Sequence, residues 1–193
     1  MGLIMKKIIL TVLLAFSALS LHAEESKPVQ ILLTTSMGDI KMELYPDKAP
    51  KSVANFSNYI KAKHYDGLVF HRVIKGFMIQ AGGFNEYMSP REPSGRPVRN
   101  EAYNGLKNVR GSVAMARTND PDSAMAQFFI NSVDNHFLDR SGQNAGYTVF
   151  GKVTEGMDVV DKISAVPTGQ VGPYGDVPRK PIHIVSARII GDE

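Results

Sequence analysis

Arg72 and Gln80 stand out for the company they keep. Both lie in Phe70-His71-Arg72-Val73-Ile74-Lys75-Gly76-Phe77-Met78-Ile79-Gln80, a stretch otherwise dominated by bulky apolar residues. An arginine never gives up its charge and presents a rigid fork of donors, so beside an apolar pocket it can stabilise a lone pair or an anion as it develops. In simple strand alternation Arg72 shares a face with Phe70 and Ile74, where it either snorkels to the surface or borders such a pocket. Phe77 and Met78, taken alone, read as core.

Other constellations are missing. The five histidines, His22, His64, His71, His136 and His183, include no pair at the i, i+4 spacing of a helical zinc site, and they read as scattered surface or core residues. There is no G-x-S-x-G elbow for a serine nucleophile and no G-x-x-x-x-G-K-[ST] loop for phosphates. Gly169, Gly172 and Gly175 are spaced by threes, but Pro173 and Pro178 make that stretch a turn-rich connection. Asp120 and Asp122 flank Pro121 and read as solvated loop charges, and Asn55-Phe56-Ser57 matches a glycosylation acceptor by chance, inside an expected helix. Cysteine is absent, which excludes disulfides, thiolate metal sites and a cysteine-linked lipid anchor. No metal and no cofactor is expected. A reaction that needs no nucleophile, metal or cofactor fits this inventory, and rotation about a peptide bond is one.

The elements that must position these residues follow from the periodicities. Residues 1–23 have the layout of a secretory signal: Lys6 and Lys7, an apolar run from Ile8 to Leu21, and the small residue Ala23 at the cleavage position. The run is shorter than the roughly 20 residues that span a bilayer, so cleavage before Glu24 and a free periplasmic protein are expected. Two of the 22 basic residues and none of the 19 acidic ones lie in that segment, so residues 24–193 carry a net charge of +1 and no basic surface for nucleic acid. They suit a single domain that buries roughly 70% of its unfolded surface.

Gln30–Thr35 and Asp39–Leu44 form a hairpin across Ser36-Met37-Gly38. A helix covers 50–62, with Pro50 in its first turn and Val53, Phe56 and Ile60 at helical spacing. Residues 68–74 and 77–80 are strands, 82–111 is a long loop of the kind that lies over a binding face, and 112–116, 128–131 and 147–153 are strands. Met157, Val160 and Ile163 mark a second helix, and Ile182–Ile190 closes the chain as a strand. Many short strands with two helices predict a mainly β fold, a closed antiparallel barrel whose ends the helices cover, with no free edges and therefore monomeric.

Several segments together resemble the cyclophilin family. The Phe70-His71-Arg72 run with Gly76-Phe77-Met78-Ile79-Gln80 is similar to the family signature, and further matches occur at Gly111–Ala116, Ser123–Ile130 and Val149–Val153, in order, across residues 31–190. The resemblance implies an eight-stranded barrel and peptidyl-prolyl isomerase activity on proline-containing, unfolded or partly folded chains. It implies that Arg72 is catalytic, and that Phe77, Met78, Phe129 and Leu138 wall a proline pocket. Gln80 would bond the substrate backbone, Ala116 and Arg117 would present main-chain groups to it, and Gln127 would lie nearby. Arg117 stands where relatives often have asparagine, Phe137 where many have tryptophan and Tyr147 where many have histidine, departures that bear on ligand preference. A second reading of the same pocket is a holdase that binds exported chains without turnover.

Overall fold

A computed structural model describes residues 27–191; the proposed signal segment and the Glu24 terminus lie outside them. Alternating burial along Val29–Thr35 (β1) and Gly38–Leu44 (β2) sends Ile31, Leu33, Ile40, Met42 and Leu44 inward. Six further strands join them: Phe70–Ile74 (β3), Met78–Ala81 (β4), Ser112–Met115 (β5), Phe128–Asn131 (β6), Val149–Glu155 (β7) and Ile184–Ile189. With Thr168–Val171 as β8 and Tyr174–Pro178 as β9, the last strand is β10. The large sheet runs β10-β1-β2-β7-β5-β6-β4-β3, antiparallel throughout.

The expected barrel is thus present, but its closure is partial. Its two edge strands meet through a bridge between Val69 and His183, reinforced by Gly67 N–H to Ile184 O at 2.8 Å, Phe70 N–H to Ile182 O at 3.0 Å and Ile184 N–H to Leu68 O at 2.7 Å. The helices Pro50–Lys61 (α1) and Met157–Ser164 (α2) supply Val53, Phe56, Ile60, Val160 and Ile163 to the interior. Phe56 is the hub, with ring centroids 5.0 to 5.2 Å from Tyr65, Phe128 and Phe150.

Two local findings correct the sequence reading. Thr168–Pro178 is a second, two-stranded sheet and not an irregular connection. Its Gly172 adopts φ +57°, the sign required at the first central position of a tight hairpin turn, so Gly-Pro punctuates two strands here. Phe70 and Arg72 do not share a face. Phe70 opposes Ala81 while Arg72 opposes Gln80, so a β-bulge at His71 breaks the alternation, leaving Phe70 in the core and turning Arg72 outward.

The long loop does more than lie over a face. Its Glu101 carboxylate, buried, accepts Lys51 N–H (3.1 Å), Ser52 N–H (2.9 Å) and Ser52 Oγ–H (2.8 Å). It thereby caps α1, whose own N-cap, Ala49, supplies no side-chain acceptor. Asn104 Nδ2 donates to Val149 O at 2.9 Å, which straps the same loop across β7. Asn55, in α1, donates to Met125 O at 2.6 Å and so ties the helix to the segment before β6.

Candidate active site

Each strand of the β5-β6-β4 ridge has one face in the core and one outside it. Met78, Ala114, Phe129 and Val149 form a small apolar cluster on the outer face, extended by Ile74, Phe77, Leu106, Ala116, Leu138 and Tyr147. Where that cluster is left uncovered lies a cavity of about 160 Å³ lined by Arg72, Phe77, Met78, Gln80, Ala116, Arg117, Phe129, Leu138 and Tyr147. Nine of the eleven residues singled out from the sequence are therefore brought to one hollow.

The remaining two sit beside it. Gln127 accepts a hydrogen bond from Gln80 Nε2 at 2.9 Å through its Oε1 and lines a neighbouring cavity of about 310 Å³ that also meets Gln80, Ala116 and Arg117. Phe137, on the single 3₁₀ turn His136–Leu138, is 67% exposed and stacks on Phe77 with ring centroids 5.5 Å apart. It forms the rim of the hollow and not its lining.

Polar groups converge on this apolar floor in a defined order. Register places Arg72 directly opposite Gln80 across β3 and β4, and Gln80 opposite Phe129 across β4 and β6. Arg72 Nε lies 3.7 Å from Asp176 Oδ2. The Arg117 side chain is tied down beside the hollow: Nε and Nη2 donate to Gly146 O at 3.1 and 3.0 Å, and the guanidinium lies 4.3 Å over the Tyr147 ring. Tyr147 in turn meets Phe129 edge-on at 5.8 Å. Arg117 therefore braces the pocket wall through Tyr147. His71, displaced by the bulge, is buried against Phe84, and burial pushes its pKa down to about 4, with the charge of Arg72 adding to the effect and a Gln127 contact opposing it.

Beneath the hollow runs a chain of side-chain amides that no motif announced. Asn135 Nδ2 donates to Phe77 O (2.9 Å) and to Asn131 Oδ1 (2.7 Å); Asn131 Nδ2 donates to Asn108 Oδ1 (3.2 Å) and Ser112 Oγ (2.8 Å). The chain ends where Asn108 N–H donates to Asp139 Oδ1 at 2.7 Å. Burial pulls the Asp139 pKa upward, but the Asn108 donors, His136 and Lys107 outweigh it and hold the carboxyl below its ordinary value. The network fixes the turn carrying Phe77 to the segment carrying Phe137 and Leu138. Among the described residues no group of three or more His, Asp or Glu is placed to hold a metal ion.

Comparison with known proteins agrees with the fold. The family model "Cyclophilin type peptidyl-prolyl cis-trans isomerase/CLD" matches residues 30–189. Peptidyl-prolyl cis-trans isomerase A of Dickeya dadantii is 52% identical over 177 residues, 92% of this chain and 93% of its own. Peptidyl-prolyl cis-trans isomerase B of Escherichia coli is 51% identical over 158 residues, 80% of this chain and 96% of its own. A cyclophilin type isomerase of Cryptosporidium parvum superposes with a TM-score of 0.72 at 27% identity, covering 86% of this chain and all of its own. The same protein has been solved in the presence of the dipeptide ala-pro, with a TM-score of 0.70 and 28% identity over 84% of this chain and 99% of its own. Fold and sequence agree: the chain belongs to the cyclophilin-type peptidyl-prolyl cis-trans isomerases, and its reaction is rotation about the bond preceding proline.

Proposed function

We propose that the hollow holds a proline ring against Phe77, Met78, Phe129 and Leu138 while Arg72 donates a hydrogen bond to the proline nitrogen. Amide resonance gives the bond a rotational barrier of roughly 18 to 20 kcal/mol, so unaided isomerisation takes tens to hundreds of seconds. When the bond twists, resonance is lost and the nitrogen lone pair localises. A donor at that atom is then bonded more strongly in the twisted state than in the planar one, and that difference alone accelerates the reaction. An acceleration of about 10⁵ asks for only about 7 kcal/mol. Gln80, opposite Arg72, holds the flanking backbone, and the Gln127 contact fixes its amide. The Ala116 N–H is used by Gln127 O at 3.0 Å, so its carbonyl is the group offered to substrate.

The observation that carries this reading is the cross-strand pairing of Arg72 with Gln80 on the rim of an apolar hollow. The basic, apolar and small-residue succession ending at Ala23, and the absence of cysteine, support action in the periplasm on exported chains after residues 1–23 are removed. Amide NMR of the protein titrated with an Ala-Pro peptide tests the site: shifts are expected at Arg72, Phe77, Gln80, Ala116 and Phe129, and a map centred elsewhere would overturn it. N-terminal sequencing of the fractionated protein tests the export, with Glu24 expected in the periplasmic fraction and an intact Met1 in the membrane fraction counting against it.

A further inference from the structure

The β8–β9 hairpin reaches the pocket at Arg72, and it does so through a second bulge. Gly169 pairs with Val177 and Val171 with Tyr174, so Gly175 and Asp176 together oppose Gln170 alone. Asp176 adopts φ +58°, a conformation few residues other than glycine take up. Its carboxylate points at Arg72, Nε to Oδ2 being 3.7 Å, with the two side chains 44% and 46% exposed. Among the described residues it is the one carboxylate within ion-pairing distance of Arg72. A second tether runs beside it: Tyr174 meets Phe84 edge-on at 4.9 Å, and Phe84 meets His71, the neighbour of Arg72, at 4.7 Å. Two bulges, each presenting one charged side chain, therefore face one another where Arg72 borders the hollow.

A half-exposed ion pair adds little to stability. Two bends of the backbone that bring it together are then poorly explained by stability, and their effect belongs in turnover. We propose that Asp176 is a positioning residue for Arg72. Holding the guanidinium at Nε leaves its two terminal nitrogens to face the pocket, in the orientation that the twisting amide requires. The inference rests on the role given to Arg72 above. It assigns the hairpin a part in catalysis: it restrains the free arginine so that less rotamer freedom is lost on reaching the transition state.

Asp176→Asn tests this, since asparagine tolerates the same φ and removes only the charge. The expected result is a fall in kcat of about 3- to 5-fold, the size a half-exposed pair can supply, with KM within about 2-fold and the melting temperature unchanged. Asp176→Glu should recover most of the rate. Raising salt towards 1 M, where the Debye length is about 3 Å, should lower the wild-type rate towards that of the variant and leave the variant flat. In an Arg72→Ala background, followed by NMR exchange of a proline peptide, Asp176→Asn should change nothing further. An unaltered kcat, or an equal loss in the Arg72→Ala background, would overturn the proposal. Full activity of Arg72→Ala by itself would instead remove the role of Arg72.

Discussion

The two faces of β4 and β6 are built from adjacent residues of the same strands and serve opposite ends. Ile79, Ala81, Phe128 and Ile130 point inward and meet side chains from α1 and the far side of the barrel. Met78 and Phe129 point outward among apolar neighbours, but the long loop covers that face incompletely and leaves the hollow beside Arg72 and Gln80. Apolar character is common to the faces; what differs is whether the chain itself fills the space. On the proposed reading, strand alternation separates stability from activity by a single step along the sequence.

Neighbouring phenylalanines give the widest test of that separation. Phe128→Ala empties a site packed edge-on against Phe56 and Tyr65, at 5.1 and 5.5 Å, and should cost about 3 to 5 kcal/mol of unfolding free energy in urea titrations. The folded fraction should keep near-normal turnover. Phe129→Ala should cost less stability and raise KM for proline peptides about tenfold or more. If the two variants lost activity and stability in the same proportion, the faces would not be separable.

His71 is buried at the β3 bulge beside Arg72, and its pH response sharpens the comparison. Its pKa falls from an ordinary 6.5 to about 4 on folding because burial disfavours the imidazolium. Between those values the unfolded chain binds a proton that the native state refuses, so stability is complete above about pH 6.5 and declines as pH falls towards 4. From pH 6.5 to 5 the loss amounts to about 2 kcal/mol. His71→Gln should flatten most of that slope in urea titrations at pH 7 and pH 5, leaving a remainder from His64, whose pKa burial also lowers. An undiminished slope would show that His71 titrates normally.

At the rim the expected effect falls on ligand binding and leaves stability and turnover nearly alone. Phe137 stacks on Phe77 with its outer face in solvent, and it lacks the N–H donor and the larger surface of an indole. Phe137→Trp should tighten binding of the cyclic peptide cyclosporin by about 1 to 3 kcal/mol and leave proline turnover within a few-fold. The wild type itself should bind cyclosporin weakly, and nanomolar binding in calorimetric titration would remove Phe137 as the determinant of that weakness.

Periodicity and turn residues made most of the barrel legible: the first hairpin, both helices and the order of strands can be read from spacing and from Gly, Pro and Asn. The site residues came with the family resemblance, since Phe77 and Met78 carry no mark that separates an outer apolar face from an inner one. The bulge at His71 was hidden because one additional residue changes no composition, yet it decides where Arg72 points. The β8–β9 hairpin was hidden by its prolines, which are tolerated in the turn and at the end of an edge strand. Glu101 and the amide chain under the pocket act on residues far away in sequence, Glu101 on Lys51 and Asn135 on Phe77, and local pattern carries no signal for such pairs.

A protease-coupled proline-peptide assay of wild type and Arg72→Ala tests the central claim most directly, run alongside urea titration of each. Arg72 is substantially exposed and its ion pair with Asp176 is half in solvent, so stability should change by no more than about 1 kcal/mol. Catalytic efficiency should fall by a factor on the order of 10² to 10³, about 3 to 4 kcal/mol of transition-state stabilisation. A folded Arg72→Ala that kept more than half of the wild-type rate would contradict the account, and a wild type that bound proline peptides without accelerating them would leave a holdase in its place.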